Sequence, residues 1–428
     1  MRDTDTAAIL RGIEERGNPW SWFAGDWPLF NHFYRPVSTL TFEWDLARAG
    51  RVDAAFGTTN SLLVVAAVWC LFWLAKELTG RGWVAGIAAL VFGLWHTYLR
   101  LGGVADVFFT LAVLSVLGLL RGGGVDRWAA VGSAFSLWWL AATWFMPTYD
   151  IGFRLLGWIP GRTAGTMTVF GLIALAAYAR FERLMAARRP LPPDPERPPV
   201  TQSTSGAPEW CWKQASVWLG LSLLGLLGAL GSYEQAVTLP ALFVGVAVWF
   251  WLVEHRRPHW WVPAASWLVL VGYALLRRAV LPAHTSGYQE QQFRSGPGVA
   301  NSLFEYLFPP YNGFRALRAT LEAGLEVLVL PQTWGLLGGV FALTLAVWAI
   351  ARVRERWSVA FAWLAAFVAF LPMAWLKHFD HYHQWPLAFR AIGFALVLGL
   401  AARLTVEAFA PLPVRAPRRT TPAPGSLS

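Results

Sequence analysis

Apolar residues gather in long uncharged runs along this chain. Residues 54–75, 128–149, 215–233, 235–253, 327–351 and 357–376 each contain 19 or more consecutive uncharged positions. A bilayer core takes about 20 apolar residues of helix to cross. Runs of this length predict membrane-spanning helices and are far too long for the strands of a barrel. Including weaker stretches, the pattern predicts eleven spans: roughly 56–75, 82–99, 104–120, 128–146, 164–179, 214–231, 236–253, 260–280, 333–351, 357–376 and 385–402. The expected fold class is an all-α polytopic membrane protein.

The segments outside the spans divide the chain further. Residues 1–55 mix polar and aromatic positions and read as an amino-terminal loop of amphipathic helices ahead of a transmembrane domain over 56–405. Residues 282–332 form a second long loop, with an amphipathic stretch at 313–326. The linker 180–213 contains six prolines between 190 and 199, then a Ser/Thr-rich stretch to Ser205. The Pro- and Arg-rich tail 406–428 reads as disordered.

Basic residues orient the bundle. With residues 1–55 outside, the inside loops hold 19 of the 35 Lys and Arg at about twice the density of the outer segments. The 282–332 loop then lies outside and the tail inside. An outside amino terminus would carry Arg2, Arg11, Arg16, Arg35, Arg48 and Arg51 across with no preceding span. That points to a first transmembrane helix upstream of Met1, the alternative being a short chain with its amino terminus outside.

Composition agrees. Of 428 residues 56% are hydrophobic and 14% charged, against about a quarter charged in soluble domains. The net charge of +10 raises nucleic acid as a partner. However, no basic stripe with interleaved aromatics exists, and the basic residues sit between apolar runs, as topology signals and headgroup contacts do. Cys70 and Cys211 lie in or beside spans and give no disulfide framework. The 27 tryptophans suit membrane interfaces, and the polar residues after Met1 show no cleavable signal.

Charge placement separates function classes. A solute carrier places ionisable groups or broken helices near the midplane, whereas these span centres are clean and no internal repeat is evident. Asp106, Arg277, Arg278 and Arg390 lie near external span ends, and Glu234 sits in a Ser-Tyr-Glu-Gln turn on that side. Polar chemistry at one face suits an enzyme acting on a lipid headgroup. Asp3, Asp5 and Asp26 are solvated loop charges or site carboxylates. Arg35, fixed before Pro36 in FYRPVSTLTF, grips a phosphate or anchors a helix at the headgroups. Glu234 needs a partner, an Arg or a substrate hydroxyl. His378, Asp380, His381 and His383 invite a metal reading, but His381 and His383 diverge on a helix or a strand, which favours an interfacial aromatic turn. Gly122-Gly123-Gly124 lacks the following Lys-Ser/Thr of a P-loop.

Four segments, in order, resemble the GT-C glycosyltransferases, most nearly the protein O-mannosyltransferase-like membrane proteins that in some members carry tetratricopeptide repeats. DTDTAAIL with WFAGDWPLFNHFYRPVSTLTFEWDLA resembles the family's first external loop, Asp5 matching its second acidic position and Arg35-Pro36 its Arg-Pro. Thr4 stands at the first acidic position, and Asp3 is an alternative through a local shift. HTYLRLGGVAD keeps His96, Thr97 and Asp106, with Tyr98 and Val104 replacing Glu and Arg. GSYEQAVTLP keeps Glu234, with Tyr233 in place of Lys. FDHYHQWPLAFRAIGFAL keeps Asp380, Tyr382 and Pro386, with His381 in place of Arg. The likeness spans about 1–405; the repeats are absent.

The resemblance implies a GT-C-like bundle in a bacterial-type inner membrane. Its activity would move a sugar from a polyprenyl-phosphate donor to a protein, lipid or glycan hydroxyl at the outer face, with inversion. A first-loop carboxylate, Asp5 or Asp3, would be base, supported by Asp106 and Glu234. Arg35, Arg277, Arg278, Arg315, Arg318 and Arg390 form the pool that meets the leaving lipid phosphate. His96, Tyr233, Asp380 and Tyr382 would contact substrate, and the 282–332 loop would cover the cleft. No cofactor is required, and no ligand set demands a divalent metal. Membrane lipids surround the protein; nucleic acid is no partner. The rival class is a non-catalytic glycolipid-binding relative or a transporter.

Overall fold

The computed structural model describes residues 4–96, 107–108, 111–112, 115, 125–144, 153–186, 207–307, 331–377 and 379–409. Among these, 84% are helical and there is no strand. Three helices lie in the region before residue 82: α1 (Thr4–Arg16), α2 (Pro36–Ala49) and α3 (Asp53–Thr79). Then come α4 (Gly82–Leu94), α5 (Val125–Trp144), α6 (Arg162–Ala186) and α7 (Ala207–Leu230). The chain continues through α8 (Leu239–Leu252), α9 (Trp261–Val280), α10 (Gly287–Gln292) and α11 (Pro297–Leu307). The last three are α12 (Pro331–Ala351), α13 (Arg356–Phe370) and α14 (Gln384–Phe409).

Among the described residues six helices are long and apolar enough to cross a bilayer: Asp53–Thr79, Ile159–Ala186, Trp212–Leu230, Glu234–Leu252, Arg356–Trp375 and Asp380–Phe409. The expectation of eleven is met in part. The expected span 82–99 stops at Leu94 after 13 helical residues. In α9, Arg277 and Arg278 in the last turn dilute an otherwise apolar helix. Helices α5 and α12, 20 and 21 residues long, fall on the expected spans 128–146 and 333–351. Most of the expected span 104–120 lies outside the described residues, as do the 313–326 stretch, most of the 180–213 linker and the tail beyond Phe409. On the long helices, apolar side chains such as Leu62 and Trp69 remain well exposed. A continuous apolar exterior of this kind fits a lipid environment and is a liability in water.

Helix α6 is the centre of the bundle, nearly enclosed along its length. It lies against α3 and α7. A Cβ on Gly225 of α7 would fall 2.8 Å from the Phe170 carbonyl oxygen and the Ala174 amide nitrogen, so the absent side chain is what lets these backbones touch. Ser222 then reaches across and donates to the Ala174 carbonyl at 2.8 Å.

Charges gather at both ends of the bundle. At one end Arg183 pairs with Glu254 at 2.7 Å, Arg81 with Glu355 at 3.1 Å, and His259 Nδ1 with Glu182 at 2.9 Å. The opposite end carries the amino-terminal segment. There Ile9, Leu10, Ile13, Trp22, Trp27, Phe42, Phe56 and Ile159 form a satellite core under α1 and α2. Arg162 opens α6 beneath it, fully buried. Its guanidinium donates to Asn60 Oδ1 (2.7 Å), Thr41 O (3.0 Å) and Phe56 O (2.8 Å) and pairs with Asp45 at 2.7 Å. This interior ion pair was not anticipated from the sequence.

Candidate functional site

The site begins with how α2 is docked. The Val37 amide donates to the Gly231 carbonyl at 2.9 Å, and the Ser38 hydroxyl to the Ser232 carbonyl at 3.0 Å. Arg35 stands at the N-cap of α2, Pro36 fixing the first helical residue. Glu234 opens the short 3₁₀ turn Glu234–Thr238 just beyond that contact. The two side chains therefore meet. Arg35 Nε lies 3.1 and 3.0 Å from the two Glu234 oxygens, and Nη2 lies 2.6 Å from Oε2. Both are largely buried, at 12% and 19% side-chain exposure.

Aromatic rings wall this pair. The Arg35 guanidinium lies over Phe33 (4.2 Å), Tyr233 (4.6 Å) and Trp27 (5.4 Å), a cation–π arrangement worth most when water is excluded. Asp26 positions two of these rings. Its carboxylate accepts from the amides of His32 (2.9 Å) and Phe33 (3.0 Å), while Trp27 N–H donates to the Phe33 carbonyl at 3.0 Å. His32 takes a positive φ of 62° to close the loop. Burial raises the Asp26 pKa, opposed by those amide bonds. Asp26 thus shapes a loop rather than standing as a solvated charge.

Three further segments reach the pair. From the turn Asp380–His383, His381 Nε2 approaches the Tyr233 hydroxyl at 3.3 Å, and the Tyr382 and Tyr233 rings lie 6.4 Å apart. Gln235 fastens this turn by donating to the carbonyls of Ala369 and Tyr382, both at 2.9 Å. From α10, Tyr288 sets its ring edge-on to Phe33. Burial raises its phenol pKa; the Arg35 charge lowers it and the Asp5 charge raises it. Asp5, exposed in the first turn of α1, therefore acts on the same space as Arg35. From α9, Arg277 donates to the His32 carbonyl at 3.4 Å, and Tyr273 feels the charges of Glu234, Arg277 and Arg35 together. Burial also pushes the Tyr233 phenol well above its ordinary value.

Arg35, Tyr233, Glu234, Arg277 and Tyr382 thus converge, and the Asp5 charge reaches Tyr288 beside them. Arg278, next to Arg277 on α9, is exposed instead. Arg390 is buried inside α14 against Tyr306. His96 is buried after α4, its Nδ1 2.8 Å from the Phe92 carbonyl. Asp380 is half-buried at the start of its turn. Asp3, Thr97, Asp106, Arg315, Arg318 and His378 lie outside the described residues. His381 and His383 do diverge: His383 stacks against Phe370 and Tyr306, away from Tyr233. Among the described residues no group of three His, Cys, Asp or Glu could hold a metal. Sequence reasoning missed Trp27, Phe33, Tyr273 and Tyr288. The aromatic run flanking Arg35 was the available signal for the first two.

Comparison with protein-family models, curated proteins and solved structures finds nothing that matches this chain.

Proposed function

We propose that the chain is a multi-pass membrane glycosyltransferase of GT-C type, moving a sugar from a polyprenyl-phosphate donor to an acceptor hydroxyl with inversion. The single observation that supports this is the convergence at one bundle end of Arg35, Glu234, Arg277 and the tyrosines 233, 288 and 382, where the Asp5 charge is felt at Tyr288. In this reading that end faces the extracytoplasmic side of a bacterial inner membrane. The shorter apolar helices cross the bilayer beside the six long ones. Asp5 takes the proton from the attacking acceptor hydroxyl as the new glycosidic bond forms and the bond to the lipid phosphate breaks. Asp3 and Asp106 remain candidates by resemblance.

One role changes in this reading. Arg35 is committed to Glu234 through two of its nitrogens, so the pair works as a rigid, nearly neutral floor. Arg277, which donates to the His32 carbonyl beside the pair, then meets the leaving phosphate. A non-catalytic glycolipid-binding relative is the second reading, favoured by that same neutralisation of the motif arginine. The test is incubation of membranes containing the protein with labelled polyprenyl-phosphate sugars. Transfer that disappears in an Asp3→Asn/Asp5→Asn variant supports the enzyme. Absence of transfer from every donor, or transfer unaltered in that variant, overturns it.

A further inference from the structure

Helix α10 brings Tyr288 to the site, and the way it is held singles that residue out. Six residues are too few for a helix to be stable alone, so its place comes from ties at both ends. At its start the Ser286 hydroxyl donates to the Asn31 carbonyl at 3.0 Å. Gln289, which completes a capping box with Ser286, donates its side-chain amide to the His32 carbonyl at 3.1 Å. Just past its end, Phe293 and Leu376 form an antiparallel bridge. The bridge is closed by Arg294 N–H to the Trp375 carbonyl (2.7 Å) and Lys377 N–H to the Gln292 carbonyl (2.9 Å). The helix is thus strung between the loop that carries Phe33 and the segment leading into the Asp380–His383 turn.

Between these ties the Tyr288 ring is pinned and its hydroxyl is uncommitted. The ring meets Phe33 edge-on with centroids 6.3 Å apart, and Phe33 carries the Arg35 guanidinium at 4.2 Å. The residue is nonetheless 47% exposed, and among the described residues no hydrogen bond engages its hydroxyl. Its phenol feels the Arg35 and Asp5 charges in opposite senses, and Tyr382 feels Tyr288. Arg277 and Gln289, the residue after Tyr288, donate to the same His32 carbonyl. The proposed base thus acts on this phenol through its charge, and the proposed phosphate-binding arginine shares an anchor with the residue beside it.

Inversion fixes an order of groups. The acceptor oxygen attacks the sugar carbon from the side opposite the departing phosphate, so the sugar lies between the base and the groups that meet the phosphate. A residue linked to both, if it touches substrate, touches the sugar. A phenol suits that contact, with one donor, acceptor lone pairs and no charge, as in the sugar hydroxyls themselves. Burial holds the Tyr288 pKa above its ordinary value, so the hydroxyl keeps its proton and can donate. We infer that Tyr288 orients the transferred sugar by donating a hydrogen bond to one of its ring hydroxyls. This rests on the glycosyl-transfer reading and extends it to the sugar itself. Tyr288 gives up no proton; it holds the reacting carbon in line, which is where positioning gains rate.

The full chain in nanodiscs is given the labelled polyprenyl-phosphate sugar that wild type transfers, then the same donor with its ring hydroxyls replaced by hydrogen one position at a time. Tyr288→Phe keeps the ring on Phe33 and should unfold at the wild-type temperature, while kcat/KM falls about tenfold, the loss of one hydrogen bond. One deoxy donor should erase the difference, both proteins handling it equally, because the bond it would make is already gone. Gln291→Ala, exposed on the same helix, should match wild type. Tyr288→Phe as fast as wild type, a deficit that persists with every deoxy donor, or an equal deficit in Gln291→Ala overturns the role of Tyr288 and leaves the glycosyl-transfer reading standing. Wild type that transfers from no donor overturns that reading, and the role of Tyr288 with it. If Tyr288→Phe is less stable, the deoxy series on its folded fraction decides. A loosened helix slows every donor alike, which overturns the role, whereas a lost hydrogen bond singles out one donor, which supports it.

Discussion

Arg35 and Glu234, 199 residues apart in the chain, meet side by side, with Arg35 Nη2 2.6 Å from Glu234 Oε2. The amino-terminal segment is thereby tied to the turn between α7 and α8. The tie is a fork, and a lysine in place of Arg35 could not reproduce it.

Breaking one side of this pair should cost more than removing both. Glu234→Gln leaves Arg35 among Phe33, Tyr233 and Trp27 without its counter-charge, an expected loss of about 3 kcal/mol. Arg35→Gln strands the carboxylate at similar cost. The double substitution removes the uncompensated charge and should recover at least half of the summed loss. A double-mutant cycle by thermal unfolding in nanodiscs measures this. Strictly additive losses would show that the two charges do not interact.

Gly231 sets the distance at which α2 docks. A Cβ there would lie 2.7 Å from Val37 Cγ2, and a short branched side chain has little room to turn away. Gly231→Ala should therefore cost about 1–3 kcal/mol through overpacking and loosen the bond between Val37 and the Gly231 carbonyl. Adding Val37→Ala removes the obstructing methyl and should restore most of the stability. Unfolding temperatures of the single and double variants settle the point. No rescue by Val37→Ala would mean that the strain arises elsewhere.

Much of this architecture could be read from hydrophobic patterning, because a helix in lipid must be long, apolar and internally hydrogen-bonded. The six helices able to cross a bilayer fall on six of the expected spans, 56–75, 164–179, 214–231, 236–253, 357–376 and 385–402. The shortfall has physical causes. An apolar stretch such as 82–99 says nothing of where its helix stops, and here it ends at Leu94. Arg35 and Glu234 were each identifiable as needing a partner, since a dehydrated charge demands one. Their pairing depends on Gly231 and Ser38, residues with no chemistry of their own. Arg162 went unnoticed because Asp45 and Asn60, which match it, lie over a hundred residues earlier in unremarkable surroundings. Tyr288 gave no signal because its loop meets Phe33 only through the folded path of α9 and α10.

Acid should loosen α1 before the bundle. Both side chains of the Arg51–Glu14 pair are about half exposed, and it ties α1 to the start of α3. The hydrogen bond from Arg51 lowers the Glu14 pKa. The folded state therefore binds fewer protons at Glu14 than the unfolded state does. Its contribution is present above the ordinary carboxylate value and fades as pH falls through the lowered one. Asp26, raised by burial, has the opposite slope, so wild type alone is not diagnostic. Hydrogen exchange of α1 amides at neutral and acid pH, in wild type and Arg51→Gln, isolates Glu14. The acid-dependent gain in exchange should be smaller in the variant, and an identical gain in both would refute the assignment.

Arg162 holds three helices at once, and its loss should be felt at a site it does not touch. Its guanidinium joins α6 to Asp45 of α2 and to Asn60 and the Phe56 carbonyl of α3, with Phe42 stacked 4.6 Å away. Asp45 in turn accepts from the Thr59 hydroxyl at 2.7 Å. Asp45→Asn keeps the size but removes the counter-charge of a fully enclosed cation, at an expected cost of about 3–5 kcal/mol. Arg162→Met strands the Asp45 carboxylate and leaves the Thr41 and Phe56 carbonyls without this donor, so its cost should be at least as large. Helix α2 ends in this network and begins at Arg35, so slackening there reaches the Arg35–Glu234 fork along one helix. Amide exchange should rise across 36–49 in Asp45→Asn while the exchange of α8 and α13 stays unchanged. Uniform acceleration over the whole bundle would instead make Arg162 a global stability element with no particular hold on the site.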